Sequence, residues 1–377
     1  MKFRDASDRT SMLNDHFSEE QWKFLAVLEA FGGPLPVEIA GMFAPLSDVQ
    51  ILDVIERGAD LIIPAGEDTF TFSPNAPRDS IQKIHEINTK EHLLKMLLQS
   101  EKLGLTEKID KIALIRVLKR AGQVTDAARL AFEIAQTMEK DGDLEKARTQ
   151  LIQIQADLAE SLENPENAKL FIEVVIDMSR LSIRLEKFGP EVSKNLRQAR
   201  SCAEKNGDRR SWTVINFYLG RYYMLHDRPD NALSIMQAAN QEVEKMGDAD
   251  ILTRTAESRA FFYYMQGLHR DVVNTLENTP GVSDSPDQCF LDPLTPIFYG
   301  TSLAFTGRFH QAIGMLNAVR GAAELNGKTS LAVHYRVVLG VVLLMMGKSR
   351  EADGHLREAS NDALNTKNWI VYSIAEI

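Results

Sequence analysis

Cysteine is nearly absent from this 377-residue chain, which has only Cys202 and Cys289. Two widely separated thiols exclude a disulfide framework and a cysteine metal cluster, and make a reducing, cytoplasmic setting the default. Long apolar runs are also missing. The longest, Val337–Met346, is interrupted by Gly340 and falls well short of the ~20 residues needed to span a bilayer, so no membrane partner is expected. The first residues, MKFRDASDRTSMLND, lack the apolar core of a signal peptide. Aromatics are 7%, with 13 Pro and 22 Gly, so the chain is neither collagen-like nor low-complexity.

Positive charge is short, and most of the shortage lies at one end. The net charge is −10, from 43 Lys and Arg against 53 Asp and Glu. Residues 1–80 hold six of the bases and fourteen of the acids, net −8, which leaves 37 against 39 for the rest. An acidic surface repels phosphate backbones, which disfavours nucleic acid as a partner of this segment.

What the sequence does have is a period. From about residue 170 the same landmarks return every 40 residues. Small residues sit at Gly220, Ala260, Gly300 and Gly340, each followed three residues on by a large one: Tyr223, Tyr263, Leu303, Leu343. Turn glycines recur at Gly267, Gly307 and Gly347, and at Gly207, Gly247 and Gly327. Val192, Ala232, Val272, Ala312 and Ala352 each precede, by four residues, Leu196, Met236, Leu276, Leu316 and Leu356.

Two amphipathic helices per unit account for the pattern. Small residues let the pair cross closely, the large residue one turn on fills the gap beside them, and glycine caps each helix end. One hairpin cannot bury its apolar stripe alone, so units stack. The spacing Leu219-Gly220-x-x-Tyr223 … Ala232 … Ala239 resembles the tetratricopeptide (TPR) motif, with helices longer than its ~34-residue period requires. A HEAT or armadillo array fits the length better, but the Leu-Gly-x-x-Tyr pairing favours TPR.

The predicted fold is therefore all-α: a TPR-like α-α superhelix of about 40-residue repeats, preceded by a small winged-helix domain. Residues 1–16 read as a flexible tail, 17–78 as the winged helix, 79–108 as a helical connector and 109–377 as the array. Ile112–Ala121, Thr125–Lys140 and Leu144–Leu162 open the array in looser register. Thr279–Pro296, with four prolines, interrupts it as a loop. The chain stops inside what should be a further helix, Asn368–Ile377, and reads as truncated there.

The winged-helix reading rests on residues 17–77. Ser18 caps a helix carrying Trp22, Leu25, Leu28 and Phe31, which ends at Gly32-Gly33-Pro34. Val37–Phe43 is a short helix, and Ser47 opens a third helix through Arg57. Leu61–Pro64 and Thr69–Phe72 flank the acidic turn Ala65-Gly66-Glu67-Asp68 as a hairpin. DNA recognition through the third helix is the alternative function. Asp48, Asp53, Glu56 and Asp60 against Arg57 alone argue instead for a spacer or protein-docking role.

A winged helix ending in TFTFSPNAPRDSIQKI, a connector, LIRVLKRAGQVTDAARLA and then a long-helix TPR array resembles a known arrangement. It is similar to the arm and sensor region of STAND-type signal-transduction ATPases. These include large LuxR-type regulators related to the maltose activator, and TPR-bearing bacterial kinases and cyclases. The resemblance covers about residues 17–377 and marks architecture rather than substrate. It implies a winged helix serving as a hinge and an array that reads an inducer or partner protein. The ATPase core and output domain of that family do not occur in these residues.

No catalytic constellation is visible, so a non-enzyme without cofactor is expected. Asn326-Gly327-Lys328-Thr329-Ser330 imitates the end of a phosphate loop, but Ala322 stands where the first glycine belongs. His85-Glu86 begins like a zinc-protease helix, but Thr89 replaces the second histidine.

A ligand would meet the first helix of each pair. The inward face reads Val214, Phe217, Arg221, Met224; then Arg254, Glu257, Phe261, Tyr264; then Leu294, Ile297, Thr301, Ala304; then His334, Val337, Val341, Leu344. The candidate binding residues are Phe217, Arg221, Arg254, Glu257, Phe261, Tyr264 and His334. Aromatic anchors with arginines suit a protein or peptide partner, or a small inducer. Arg254 and Glu257 could equally be an ordinary surface ion pair, and the apolar residues packing between units. A homo-oligomer is left open.

Overall fold

The computed structural model describes residues 17–44, 46–66, 68–105, 109–185, 187–226, 229–279, 290, 292–365 and 375. The expected N-terminal tail, Glu67 of the acidic turn, Cys289, most of the proline-rich interruption and nearly all of the last helix lie outside the described residues. Among the described residues there are eighteen helices and three short strands, in two compact units that divide after Ser161.

In the first unit, α1 (Glu19–Phe31) opens on a capping box. The Ser18 backbone N–H donates to Gln21 Oε1 at 2.8 Å, and the Gln21 N–H donates back to Ser18 Oγ at 3.3 Å. Its apolar positions bury Trp22, Phe24, Leu25, Leu28 and Phe31, and it ends at Gly32, where φ is +59°. Helix α2 (Val37–Phe43) follows, then α3 (Asp48–Arg57), which begins on a second capping box, Ser47 with Gln50.

Strands β2 (Ile62–Pro64) and β3 (Thr69–Phe72) form the expected antiparallel hairpin. A two-residue strand, β1 (Leu35–Pro36), pairs on the other side of β3, giving the order β1-β3-β2. The sequence conceals β1 because Gly32-Gly33-Pro34 reads as a break. An edge strand can take Pro36, since it needs no N–H on its open side.

Helices α4 (Arg78–Ile87), α5 (Lys90–Lys102) and α6 (Lys111–Arg120) complete this body. One cluster of buried apolar side chains runs from Phe17 to Ala121. Polar ties reinforce it. Asn88 Nδ2 donates to the Ala26 carbonyl at 2.9 Å, and Arg116 donates to the Phe31 carbonyl at 2.7 Å. Helices α7 (Val124–Lys140) and α8 (Leu144–Ala159) continue as hairpins.

The second unit contains α9 (Pro165–Arg184), α10 (Pro190–Lys205), α11 (Arg209–Leu225), α12 (Pro229–Met246) and α13 (Ala249–Met265). It continues through α14 (His269–Glu277), α15 (Thr295–Phe305), α16 (Phe309–Leu325), α17 (Thr329–Met345) and α18 (Ser349–Asn365). Consecutive helices pair, and the first helices α9, α11, α13, α15 and α17 also touch one another in series. This is a TPR-like helical-repeat fold. Helices α14 and α15, on either side of the interruption, have 9 and 11 residues where their counterparts have 16 to 20.

The turn glycines behave as their spacing predicts. At Gly307, φ is +82°, its N–H donates to the Ala304 carbonyl, and the next N–H, of Arg308, reaches Leu303. That pair of bonds satisfies the last carbonyls of α15. Gly327, the false phosphate-loop glycine, is the same turn between α16 and α17, with φ +68°.

The close crossings have a definite partner. At the three glycines, the side chain that a Cβ would meet first is the one sixteen further on, in the second helix. A Cβ on Gly300 would lie 3.0 Å from Leu316, and one on Gly340 would lie 2.7 Å from Leu356. At Gly220 the same space is taken by Met236, whose Sδ would be 2.8 Å away. Two of the recurring landmarks are thus the two halves of one contact.

Candidate ligand cavity

The inward faces of α11, α13 and α17 converge on the segment that leads into α15. Arg221, on α11, is only 8% exposed. Its Nη2 donates to Asp292 Oδ1 at 2.9 Å, and its Nη1 makes a second contact with Oδ2, so the pair is bidentate. The guanidinium also lies 5.4 Å from the Phe261 ring centroid.

Asp292 is itself held in place. Its Oδ1 accepts from the Leu294 N–H at 2.9 Å, and its own N–H donates to Glu257 Oε2 at 2.9 Å. Glu257 Oε2 also accepts from Thr295 Oγ1 at 2.6 Å, and the Tyr335 hydroxyl donates to the Pro293 carbonyl at 2.7 Å. Residues 292–295 are thereby tied to α11, α13 and α17.

Beside this knot is a cavity of about 270 Å³. Its apolar walls come from Ile183 on α9, Phe188, Pro293, Leu294 and Leu331. Among the described residues its polar lining comes from Arg221 and His334. The His334 Nδ1–H donates to the Ser330 carbonyl at 2.8 Å, leaving Nε2 as the nitrogen able to meet a ligand. Burial draws the Arg221 guanidinium down to about 10, against the opposing pull of Glu257, so it stays charged at neutral pH. Burial likewise pushes the neighbouring Tyr218 phenol up to about 12.

The seven residues picked from the sequence divide. Arg221 and His334 share the cavity. Glu257 and Phe261 stand behind it, one on the Asp292 backbone and the other against the guanidinium. Tyr264 packs on Phe298 at 5.8 Å, in the apolar cluster of the later hairpins, and Phe217 is 1% exposed, a core residue rather than a groove residue. Arg254 is exposed and does not line the cavity. Asp292, Pro293, Ile183, Phe188 and Leu331 were not foreseen. The dipeptide Asp292-Pro293, a turn starter just before a helix, was the one available signal.

Among the described residues, no three His, Cys, Asp or Glu side chains converge as metal ligands. No helix there is long and apolar enough to cross a membrane.

No family model matches the chain, and no curated protein matches it in sequence. Among solved structures, it is similar to a Signal Transduction ATPase with Numerous Domains (STAND) protein with a tetratricopeptide repeat sensor from Pyrococcus horikoshii. That match has 17% identity and a TM-score of 0.55, and covers 100% of this chain but 55% of the other. The chain thus spans about half the length of that protein. A Podosopora anserina putative kinesin light chain with nearly identical TPR-like repeats matches at 14% identity over 65% of this chain and 98% of its own, TM-score 0.27. The TPR2AB domain of yeast Sti1, in complex with pHSP90, matches at 13% over 67% of this chain and 99% of its own, TM-score 0.25. Identities this low speak to fold alone.

Proposed function

We propose that this chain is a non-enzymatic regulatory module of the cytoplasm, a repeat scaffold that reads a ligand in its second unit and relays the state to a nucleotide-switch domain outside these residues. The observation that carries this is the reach of the similarity: both compact units, end to end, are covered by one STAND protein with a tetratricopeptide repeat sensor. The cavity gives that sensor a place to bind. In this reading the three helices and the β1-β3-β2 sheet of the first unit form a winged helix serving as a hinge or docking module.

The test is isolation of the native protein from its own cells. A STAND-type nucleotide-binding domain should come with it, in the same polypeptide or bound to it. Its absence, or ATP turnover by residues 1–377 alone, would overturn the proposal.

DNA binding is the second reading, favoured by the same winged-helix-like arrangement. The exposed face of α3 opposes it, presenting Asp48, Val49, Leu52 and Glu56, with Val49 76% exposed. An acidic and apolar face suits a protein partner better than a phosphate backbone. Gel shifts with the full chain at low salt should show no complex at micromolar protein.

A further inference from the structure

The Arg221–Asp292 pair lies at the wall of a cavity that is, His334 apart, lined by apolar side chains among the described residues. A fully desolvated arginine needs an anion, and here the anion comes from the residue just ahead of Pro293 and Leu294, themselves part of the cavity wall. Among the described residues the lining has five apolar side chains with Arg221 and His334, and the carboxylate paired with Arg221, Asp292, comes from the chain itself. The volume, about 270 Å³, is just below the ~300–1,000 Å³ of ordinary small-molecule sites.

We infer that the cavity binds a small monocarboxylic acid with an apolar body, whose carboxylate takes the place of the Asp292 side chain on Arg221. This rests on the reading of the array as a ligand sensor and names the class of ligand. The apolar tail lies against Ile183, Phe188 and Leu331, and the carboxylate forms the bidentate fork that Asp292 forms in its absence. His334 supplies a second nitrogen at the rim.

Exchange of one carboxylate for another leaves the guanidinium neutralised throughout, while the displaced Asp292 carboxylate, 7% exposed in the closed pair, has to turn out to water. The exchange also changes the chain. Asp292 bonds to Leu294 through the same oxygen that meets Arg221, and its neighbours are fixed by Glu257 and Tyr335. Releasing Asp292 from Arg221 therefore loosens one of three ties that hold the start of α15 to α11, α13 and α17. A ligand seated on Arg221 of α11 is thus reported to the start of α15.

Removing the internal competitor provides the test. The full-length chain and Asp292→Asn are titrated with hexanoate, benzoate and phenylacetate, and with hexanamide, benzamide and phenylacetamide as neutral controls, by calorimetry and thermal melts. Asp292→Asn should bind at least one acid saturably, at least tenfold tighter than the unmodified chain does, with the matching amide at least tenfold weaker. Adding Arg221→Gln to Asp292→Asn should abolish acid binding, with circular dichroism confirming the fold.

A short peptide ending in Phe, as free acid and as amide, separates the two sources of such a group. Tight binding of the peptide acid without binding of the free acids would overturn the small-molecule assignment. Equal treatment of acids and amides by Asp292→Asn, or acid binding that survives loss of Arg221, would overturn the site itself. Neither result touches the isolation experiment, so failure of the ligand class and failure of the sensor reading remain distinguishable.

Discussion

Gly220→Ala adds a single methyl group, and the structure assigns it a sign opposite to helix propensity. In an open helix Ala is favoured over Gly by about 1 kcal/mol. At Gly220 the new Cβ would overlap Met236 Cγ, lie 2.8 Å from its Sδ and stand 3.2 Å from the Ala232 carbonyl oxygen. Met236 is fully buried, so bending it aside costs packing, and the Ala232 carbonyl is backbone that yields only if α12 eases away from α11. Overpacking of this kind costs about 1–3 kcal/mol, which leaves a net loss of up to roughly 2 after the propensity gain.

Gly354 in α18 is the control. It is helical and exposed, and a Cβ there meets nothing within 4 Å, so Gly354→Ala should gain about 0.5–1 kcal/mol. Repeat arrays do not unfold all at once, so the assay is local: amide hydrogen exchange across α11 and α12. A loss of about 1.4 kcal/mol speeds exchange there roughly tenfold. Adding Met236→Ala should show coupling of about 1–2 kcal/mol, because the large side chain is what the methyl strikes. Unchanged or slower exchange in Gly220→Ala would refute the close-crossing argument.

Arg221→Met, which leaves Asp292 buried without its cation, should cost about 3–5 kcal/mol, and Arg221→Met with Asp292→Leu markedly less; chemical denaturation compares them. Gly307→Ala places a side chain at φ +82°, so a loss of about 1–2 kcal/mol is expected, with Gly307→Asn milder, read by exchange in α15 and α16. His92, His269 and His355 are each held below the usual histidine range, chiefly by burial. A lowered folded value means the unfolded chain takes up protons first, so stability is full above about pH 6.5 and falls as pH drops through the histidine range. Melting temperature should therefore decline from pH 7.5 to 5.5, and His92→Gln with His355→Gln should flatten that decline.

The hairpins were legible because their constraints are local. A glycine at a left-handed turn and a small residue at a crossing leave marks at fixed spacing, and Gly207 through Gly347 kept that spacing. The partner across the crossing left no such local mark. Tyr223 lies close to Gly220 in sequence, whereas Met236 meets it only after the chain has reversed. Strand β1 escaped notice because two residues beside a proline carry no alternation.

The register put Arg221 and His334 on one face, and both line the cavity, but it could not say how deep each would sit. Arg221 is buried because Asp292 arrives from a proline-rich interruption, and no helical period predicts where such a segment returns. Phe217 and Arg254 share that face by counting, yet one is sealed in the core and the other stands in solvent.

The three glycine crossings differ in what fills them. Leu316 and Leu356 are branched at Cγ and act as rigid wedges, while Met236 is an unbranched thioether that can bend around an intruding atom. Gly220 is the immediate neighbour of Arg221 along α11. The softest joint in this series therefore sits one residue from the charged wall of the cavity. A helix that had to give way there could do so by re-threading one methionine, with the stiffer hinges downstream left as they were.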